Sequence, residues 1–472
     1  MRKSDQLVKF HHLGFGAIEQ GDTMGSVRTS GLAAGRLAGA EYEANFSDIH
    51  PPLSRHEAFV EAERCYFCSD APCQTACPTS IDIPLFIREI AAGNDLGAAE
   101  TILKSNILGG MCARVCPTET LCEEACVRET AEGKPIKIGL LQRHATDRLM
   151  DAGKQPFTRA ASTGKKIAVI GGGPAGLACA HKLAEHGHSV TIFEAKDKLG
   201  GLNEYGIAAY KTTNDFAQRE VDFILSIGGI EVKTSHALGK QIDIATLRRS
   251  YDAVFMGTGL AGVNKLGVEG EGTLRGIRDA VDFIAELRQA KDLSKLAIGR
   301  DVVVIGGGMT AIDAAVQSRK LGADHVTIAY RRGQDAMKAS AYEQEVAQTH
   351  GVTLRTFVKP VALESQNGVV TGVTLEETDI QNGKLVDTGQ RYTLKADMVL
   401  TAIGQIFVPD GLGGVDGLDL DGGRIKVDQH RRTSVKGLWA GGDCIAGGED
   451  LTVAAVEDGK QAALSIHQSL TA

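Results

Sequence analysis

The stretch KKIAVIGGGPAGLACAHKLAEHGHSVTIFEAK, residues 165–196, decides the fold of the larger, C-terminal part of the chain. The apolar run IAVI leads into a glycine-rich turn that opens an apolar helix, and a second apolar run, VTIF, ends at Glu194. This order of strand, glycine turn, helix and strand is typical of dinucleotide-binding units in doubly wound sheets. We therefore predict a parallel sheet with a nucleotide at this turn.

The glycines of this turn have separate roles. Gly171 permits the tight turn, Gly173 lets the backbone approach a pyrophosphate, and Gly176 allows the helix to pack closely on the strand. Glu194 lies 23 residues after Gly171, where a carboxylate can accept hydrogen bonds from ribose hydroxyls. This context disfavours the alternative of a chance acid after a glycine turn. The residues predicted for this first site are Gly171, Gly173, Pro174, Ala175, Gly176 and Glu194.

A second copy of the unit runs over residues 299–332, GRDVVVIGGGMTAIDAAVQSRKLGADHVTIAYRR. Tyr330 stands at the position that matches Glu194, and two arginines follow it. Without a carboxylate to repel a 2'-phosphate, and with guanidinium groups to bind one, this site is predicted to prefer NADPH to NADH. If the arginines are only a solvated surface pair, a preference for NADH would follow. The residues predicted for this second site are Gly306, Gly308, Met309, Thr310, Arg331, Arg332, Lys338, Ala402 and Gly404.

Two further segments indicate a flavin in the first unit. The apolar strand AVFM ends in the small residues GTG at 257–259, and Gly441-Gly442-Asp443 follows the strand GLWA. These segments resemble the two-dinucleotide-binding flavoproteins of glutathione-reductase type. The resemblance implies FAD in the first unit, NAD(P)H in the inserted second unit, and hydride transfer from nicotinamide to flavin. With the turn residues above, the predicted FAD set includes Gly201, Leu202, Lys211, Gly442, Asp443 and Thr452.

Eight of the ten cysteines lie between Cys65 and Cys126, with spacings C-x2-C-x4-C-x3-C-P and C-x3-C-P-x4-C-x3-C. The opening MRKSDQLVKFHHLGFG lacks the apolar core of a secretory signal, so we expect a cytoplasmic protein whose thiols are kept reduced. Metal is then favoured over disulfides. Zinc prefers simpler paired knuckles, whereas a cysteine that precedes proline and ligates a neighbouring cluster is typical of two-cluster ferredoxins. The sequence thus predicts two 4Fe-4S clusters.

Spacing divides six of the cysteines into two sets: Cys65, Cys68 and Cys73 in one, and Cys77, Cys116 and Cys122 in the other. It leaves Cys112 and Cys126 to complete them. Outside this window only Cys179 and Cys444 remain, far apart in sequence. Because they offer no dithiol beside the flavin, electrons are expected to leave through the clusters.

The segments CSDAPCQTACPTSIDIPLFI, ILGGMCARVCPTETLCEEAC and IKIGLLQRHATD resemble the N-terminal half of dihydropyrimidine dehydrogenase and the NAD(P)H-oxidising subunit of its bacterial two-subunit form. The resemblance runs from Asp48 to the C-terminus, although residues 207–211 depart from the family pattern. It implies that Cys112 is not a ligand and that Gln142 is. Because a neutral amide in place of a thiolate removes one negative charge, we hypothesise that Gln142 raises the potential of the cluster that passes electrons out. The implied ligands are Cys65, Cys68, Cys73 and Cys126 for cluster 1, and Cys77, Cys116, Cys122 and Gln142 for cluster 2.

The resemblance also implies a function. NAD(P)H reduces FAD, and electrons pass through both clusters to an FMN-containing catalytic subunit with ferredoxin-like clusters, which reduces uracil or thymine to the 5,6-dihydro product. The assembly is expected to be a hetero-oligomer such as a heterotetramer, with no catalytic side chain in this chain. One alternative is the small subunit of NADPH-dependent glutamate synthase, for which we expect an acidic residue in place of Gln142, or a related NADPH-oxidising electron-transfer subunit that feeds another acceptor. Another is an iron-sulfur scaffold with a degenerate flavin site.

Composition and texture set the remaining expectations. A net charge of -8 gives no basic footprint for nucleic acid or an anionic membrane, and no apolar run reaches the roughly 18 residues of a membrane span. The predicted fold class is α/β, with two Rossmann-like dinucleotide-binding domains preceded by an α-helical iron-sulfur domain. The predicted boundaries are 1–158 for the iron-sulfur domain, 159–292 and 398–472 for the FAD-binding domain, and 293–397 for the NAD(P)H-binding domain.

Overall fold

The computed structural model describes residues 31–412 and 415–472. Residues 1–30, which hold the opening sequence and the first part of the predicted N-terminal arm, lie outside the described residues. None of the described helices is long and apolar enough to cross a membrane.

The N-terminal region is helical up to residue 151, with the cysteines in and beside the connections. Side-chain caps mark the starts of α2, α4 and α5. At α2, the Ser54 hydroxyl accepts a hydrogen bond from the backbone N–H of Glu57, and the Glu57 carboxylate accepts one from the N–H of Ser54. The helices are α1 Gly39–Asn45, α2 Arg55–Glu63, α3 Pro72–Thr75, α4 Ile83–Ala91, α5 Asp95–Ser105, α6 Gly109–Val115, α7 Val127–Glu132 and α8 Ile138–Asp151.

One apolar core holds this helical region together. Helix α4 buries Phe86, Ile87 and Ile90 at helical spacing. Ile102 of α5 and Leu141 of α8 belong to the same core, and several of the cysteines pack into it. The thiols are therefore held by a packed framework.

Next in the chain comes most of a first nucleotide-binding domain. Its elements are β1 Lys166–Ile170, α9 Pro174–Glu185, β2 Ser189–Phe193, α10 Leu202–Tyr205, α11 Phe216–Leu225, β3 Ile230–Lys233, α12 Ile244–Ser250, β4 Ala253–Met256 and β5 Gly262–Val263.

The inserted domain then follows. Its elements are β6 Ile277–Asp279, α13 Ala280–Gln289, β7 Asp301–Ile305, α14 Met309–Lys320, β8 His325–Ala329, α15 Ala341–Thr349, β9 Val352–Arg355, β10 Val358–Gln366, β11 Val369–Gln381, β12 Lys384–Lys395 and β13 Met398–Thr401. The chain returns to the first domain with β14 Gln405–Ile406, β15 Leu420–Asp421, β16 Arg424–Ile425, β17 Leu438–Ala440 and α16 Thr452–Thr471. Short 3-10 turns lie at Thr118–Thr120, Leu293–Lys295, Gln334–Ala336 and Pro409–Leu412.

Two parallel sheets of the same topology organise these domains. The first has the order β17-β4-β1-β2-β3 and the second has the order β6-β13-β7-β8-β9. In each, the strand before the glycine turn is central, and alternate residues face opposite sides. Ile167 and Val169 enter one apolar core while Ala168 and Ile170 enter another. Burial on both faces explains the continuous apolar runs in the sequence.

The sheets bear on the domain boundaries. Strand β6 pairs with β13 in the second sheet, although both lie outside the predicted range 293–397. We therefore propose that the inserted domain begins near residue 277 and extends through Thr401. The antiparallel sheet β10-β11-β12 belongs to the same insertion.

Candidate functional site

The cysteines of the helical region fall into two groups. In the first thiol group, Cys65 interacts electrostatically with Cys68 and Cys126, and Cys73 interacts with Cys65 and Cys126. Burial raises the pKa of Cys65, and burial together with Cys126 and Cys65 raises the pKa of Cys73 to about 12. This is the ligand set that the family resemblance implies for cluster 1.

The second thiol group consists of Cys77, Cys112, Cys116 and Cys122. A hydrogen bond with the Cys112 thiol, followed by burial, raises the pKa of Cys116 well above its ordinary value. Cys77 and Cys122 also act on Cys116 electrostatically. Burial likewise raises the pKa of Cys122. The structure thus brings together the three cysteines predicted for cluster 2 and adds Cys112.

Gln142 lies on α8 beside this second group. Its side chain is 7% exposed, and its Nε2 donates a hydrogen bond of 2.6 Å to the carbonyl oxygen of Gly109 on α6. Gly109 lies one helical turn before Cys112. Oε1 is the amide atom that can ligate a metal, because it carries the lone pairs while Nε2 acts only as a donor. The choice between Cys112 and Gln142 as the eighth ligand stays a prediction.

The donor chemistry of the two groups fits iron-sulfur clusters. The thiols are held in a buried core, and burial together with neighbouring thiols disfavours their ionisation. Bound iron would supply the positive charge that stabilises them as thiolates. Within residues 31–412 and 415–472, no group of three or more His, Cys, Asp or Glu side chains is arranged to hold a single metal ion.

The first glycine turn has the geometry that a bound pyrophosphate requires. Gly171 has a φ of +97°, and a Cβ there would lie 2.3 Å from the carbonyl oxygen of Gly257. A Cβ on Gly176 would lie 1.9 Å from the carbonyl oxygen of Gly171. Gly173 is the N-cap of α9, whose first residues are Pro174 and Ala175. The start of α9 therefore presents free backbone N–H groups to an anion.

Glu194 follows β2 beside this turn and is 8% exposed. Its Oε2 accepts a hydrogen bond of 2.7 Å from the N–H of Gly172, and its Oε1 accepts one of 2.9 Å from the N–H of Lys196. These bonds fix the carboxylate at the edge of the turn, where a ribose would lie in this type of site.

The segments predicted to complete the flavin site meet at the start of α9. A Cβ on Gly173 would lie 3.7 Å from the Cα of Gly201, and a Cβ on Gly442 would lie 3.1 Å from the Cβ of Ala175. Leu202 follows with its side chain 42% exposed. Distant segments of the chain thus form one cradle around the helix N-terminus.

Asp443 lies in this cradle, where burial and, second, Asp450 raise the pKa of its carboxyl to about 6. Thr452 begins α16 and donates a hydrogen bond of 2.8 Å to Oδ1 of Asn203. Lys211, also predicted to bind FAD, is engaged differently. Its ammonium pairs with Asp313 at 2.8 Å and with Glu343 at 2.7 Å, both in the inserted domain.

The second glycine turn repeats this geometry with one substitution. Gly306 has a φ of +147°, and a Cβ there would lie 2.2 Å from the carbonyl oxygen of Ala402. Gly308 caps α14, whose first residues are Met309 and Thr310. Gly404 follows β13 with a φ of +96°. The predicted residues Gly306, Gly308, Met309, Thr310 and Ala402 therefore lie around the N-terminus of α14.

Tyr330, which stands in the second unit where the first unit has Glu194, lies over this turn. A Cβ on Gly307 would lie 2.5 Å from the Tyr330 ring, and the Tyr330 hydroxyl donates to the carbonyl oxygen of Ala336 at 2.7 Å. This bond closes the loop that carries two of the predicted cations, Arg331 and Arg332, and Lys338 follows two residues after it. Their side chains, Arg331, Arg332 and Lys338, are exposed.

Sequence reasoning missed residues that shape the flavin cradle. Asp458 accepts a hydrogen bond from the N–H of Gly442 at 2.8 Å and one from Nε of Arg431 at 2.7 Å. Asn203 accepts the bond from Thr452. Asp458 begins the segment DGKQA, which marked the family resemblance but had no assigned role. Asn203 and Arg431 carried no local signal.

Comparison with known families agrees with this geometry. Residues 165–459 match the family profile of the pyridine nucleotide-disulphide oxidoreductases. The chain belongs to this family. Residues 42–154 match the profile of dihydropyrimidine dehydrogenase domain II, 4Fe-4S cluster. The predictions of a two-domain flavoprotein fold, FAD, a pyridine nucleotide and 4Fe-4S clusters are confirmed at the level of these families.

Several relatives of this oxidoreductase match over nearly their whole length. The small chain of NADPH glutamate synthase from Escherichia coli is 34% identical, with 89% of this chain and 92% of the relative covered. The NAD-dependent dihydropyrimidine dehydrogenase subunit PreT from E. coli is also 34% identical, with 91% and 98% covered.

Among solved structures, FprA from Mycobacterium tuberculosis in complex with NADPH matches with a TM-score of 0.54 and 18% identity, over 65% of this chain and 84% of that one. Thioredoxin reductase from T. acidophilum matches with a TM-score of 0.50 and 22% identity, over 65% and 99%. At these identities the structural matches confirm the fold alone.

Proposed function

We propose that this chain is the electron-input subunit of an NAD(P)H-dependent dihydropyrimidine dehydrogenase. It takes electrons from NAD(P)H and delivers them, through FAD and two 4Fe-4S clusters, to a partner subunit that reduces uracil or thymine. The observation that carries this proposal is the division of the thiols into two groups within a domain packed against the flavin cradle. The PreT relatives support the choice of acceptor.

The packing of α6 supports an order for the two clusters. Ile107 and Leu108, at the start of α6, belong to the apolar core of the FAD-binding domain. The N–H groups of Gly110 and Met111 donate to Glu220 of that domain at 2.8 and 3.0 Å. Helix α6 carries Cys112 and leads into Cys116. The second thiol group therefore lies on the flavin side.

The first thiol group lies toward the surface. Tyr66, between two of its cysteines, is 51% exposed, and Val127, which follows Cys126, is 37% exposed. We infer that cluster 2 receives electrons first and that cluster 1 passes them to the partner. This order places Gln142 at the first acceptor, opposite to the expectation from sequence that it tunes the cluster at the exit.

The residues of this chain bind and orient the nucleotides. When bound, FAD exchanges hydride with the nicotinamide and the clusters carry single electrons. The starts of α9 and α14 would hold the phosphates, and Glu194 would hold the ribose of the first nucleotide. Substrate protonation is left to the partner subunit, which we expect to contain FMN and its own ferredoxin-like clusters in a hetero-oligomer.

The proposal is tested by oxidation of NADPH or NADH in the complex co-purified with an FMN-containing partner. We expect oxidation that depends on uracil or thymine. A Cys116→Ser variant is expected to lose this activity while it retains FAD and reduction of a dye by NADPH. Absence of pyrimidine-dependent oxidation in a complex that reduces the dye would contradict the assignment.

A second candidate is the small chain of a glutamate synthase, which the equal identity of the E. coli small chain supports. The same preparation separates the two functions. Oxidation of NADPH that depends on glutamine and 2-oxoglutarate, and not on a pyrimidine, would select the glutamate synthase assignment.

A further inference from the structure

A loop of the FAD-binding domain packs into the inserted domain. This flavin-side loop, residues 203–213, follows Leu202 of the flavin cradle. Two of its residues, Ala208 and Tyr210, are fully buried and belong to the apolar core around β7 and α14. The loop is thus covalently part of one nucleotide domain and packed as part of the other.

Polar groups of α14 bind the loop along its length. The N–H of Ala208 donates to Oδ2 of Asp313, and the Tyr210 hydroxyl donates to Oδ1, both at 3.3 Å. The N–H of Ala209 donates to Oε1 of Gln317 at 3.0 Å. Because α14 begins at the second glycine turn, these bonds tie the loop to the helix that receives the pyridine nucleotide.

An ion-paired cluster closes this contact. The junction triad consists of Lys211, Asp313 and Glu343, whose side chains are 11%, 6% and 11% exposed. The ammonium lies 2.8 Å from Asp313 and 2.7 Å from Glu343. Burial alone would lower the pKa of Lys211, but the two carboxylates outweigh burial and raise it above its ordinary value. The lysine therefore stays charged between α14 and α15.

Helix α13 holds the other end of the loop. Nε of Arg288 donates to the carbonyl oxygen of Glu204 at 2.9 Å, and its NH1 donates to the carbonyl oxygen of Thr212 at 2.9 Å. Helices α13, α14 and α15 of the inserted domain thus all bind one loop of the FAD-binding domain. Asn203 at the start of this loop accepts the hydrogen bond from Thr452, which connects the loop to the flavin cradle.

The iron-sulfur domain reaches the same junction. The hydroxyl of Ser340, which caps α15 by accepting from the N–H of Glu343, donates to Glu119 at 2.6 Å. The rings of Tyr342 and His50 stack at 5.8 Å. All three domains therefore meet within one helical turn of Glu343.

We propose that the junction triad fixes the inserted domain in one orientation against the flavin-side loop, and that Lys211 is a positioning residue for hydride transfer rather than an FAD ligand. The inference rests on the proposed function for the presence of both nucleotides. A small displacement of two reacting centres can cost about 100-fold in rate. Loss of the triad should therefore slow transfer without weakening the binding of either nucleotide.

The test measures flavin reduction by NADPH in anaerobic stopped flow, with NADP+ affinity and FAD content measured on the same samples. For Lys211→Met we expect a rate at saturating NADPH that is about 10- to 100-fold lower, with nearly unchanged NADP+ affinity and FAD content. Lys211→Arg should restore most of the rate because it keeps the charge. The matched control Lys359→Met removes an ion pair with Asp387 on the antiparallel sheet and should leave the rate unchanged.

A buried carboxylate left without its lysine can destabilise the fold. The double variant Lys211→Met/Glu343→Gln removes the ammonium and one carboxylate, and leaves Asp313 with its hydrogen bonds from Ala208 and Tyr210. It keeps the test decisive, since it should fold and still reduce its flavin slowly. Wild-type rates in this double variant, or loss of FAD in Lys211→Met that Lys211→Arg restores, would overturn the positioning role. Failure of the wild-type chain to reduce its flavin at all would instead overturn the proposed function.

Discussion

At the scale of single residues, one substitution distinguishes the two glycine turns. In the first turn, Glu194 accepts the N–H of Gly172, whereas in the second the Tyr330 ring packs against Gly307. An aromatic ring removes the negative charge that would repel a 2'-phosphate. It also anchors the loop that carries Arg331 and Arg332. We therefore propose that the identity of the residue after the second strand governs which nucleotide this site prefers.

Replacement of both arginines, Arg331→Ala/Arg332→Ala, is expected to raise the KM for NADPH about 10- to 100-fold, because charge-assisted hydrogen bonds to a phosphate are lost. The KM for NADH should change little, since NADH lacks that phosphate. Steady-state dye reduction with each nucleotide measures both values. Arg391→Ala, at another exposed arginine of the inserted domain, is the control. Equal effects on NADPH and NADH would contradict the prediction.

Iron content distinguishes Gln142 from Cys112 as the eighth cluster ligand. If Gln142 is the eighth ligand, Cys112→Ser should retain about eight irons per chain, whereas Gln142→Ala should lose iron from one cluster. Gln142→Glu keeps an oxygen ligand but adds a negative charge, so it should lower the reduction potential of that cluster. Iron analysis and potentiometric EPR measure these outcomes. Retention of all iron in Gln142→Ala, with loss in Cys112→Ser, would assign Cys112 instead.

At the scale of elements, the strand, turn and helix of residues 166–185 depend on the absence of side chains at two contacts. The oxygen of Gly257 crowds Gly171 and the oxygen of Gly171 crowds Gly176. Because backbone atoms cannot move aside as a flexible side chain can, the helix can approach the strand only with glycine there. The loops that hold the first cysteines also require unusual backbone conformations, since Phe67 and Ala71 adopt φ values of +51° and +37°. Such values are unfavourable for non-glycine residues.

Gly176→Ala is therefore expected to lower the free energy of unfolding of the FAD-binding domain by about 1–3 kcal/mol through overpacking. FAD content should fall sharply because the turn must shift. Absorbance of the bound flavin and thermal release of FAD fluorescence measure the two effects. Gly39→Ala, where a Cβ would have no atom within 4 Å, should leave both unchanged. An FAD content equal to wild type in Gly176→Ala would contradict the packing argument.

At the scale of the whole molecule, buried polar groups join the domains. Glu220 is 1% exposed, and its Oε1 accepts hydrogen bonds from the N–H groups of Gly110 and Met111 at the start of α6. Burial raises the pKa of Glu220 to about 8, although its backbone hydrogen bonds and Arg114 oppose that shift. The contact between the flavin domain and the cluster domain therefore has a carboxyl group that is mostly protonated at neutral pH.

This protonation predicts how stability varies with pH. The folded pKa lies above the unfolded value of about 4.3, so the folded state binds the proton more tightly and the contribution of Glu220 declines as pH rises from about 4.3 to about 8. Glu220→Gln removes this dependence. The melting temperature of the variant relative to wild type should therefore increase between pH 6 and pH 8, roughly the upper part of that window. A difference in melting temperature that does not change with pH would contradict this reasoning. So would the same pH trend in the control Glu231→Gln, whose side chain is exposed.

Much of the fold was predictable because its determinants are local. The two glycine units, their apolar strands and the helical texture of the cysteine region each follow from short-range patterns. The division of Cys65, Cys68 and Cys73 from Cys77, Cys116 and Cys122 follows from spacing in the same way. The domain boundaries were harder to infer, because β6 and β13 reveal their sheet only through pairing partners distant in sequence.

The sequence by itself determined the two nucleotide units, the clustered thiols and the cofactor classes, since backbone conformation and ligand chemistry depend on residue type. Tertiary structure decided which distant groups meet. It paired Lys211 with Asp313 and Glu343, placed Glu220 beneath α6, and brought Cys126 to the first thiol group. The contacts of Lys211 and Glu220 join residues more than 100 positions apart. The free energy of these contacts depends on burial and charge that no local pattern contains.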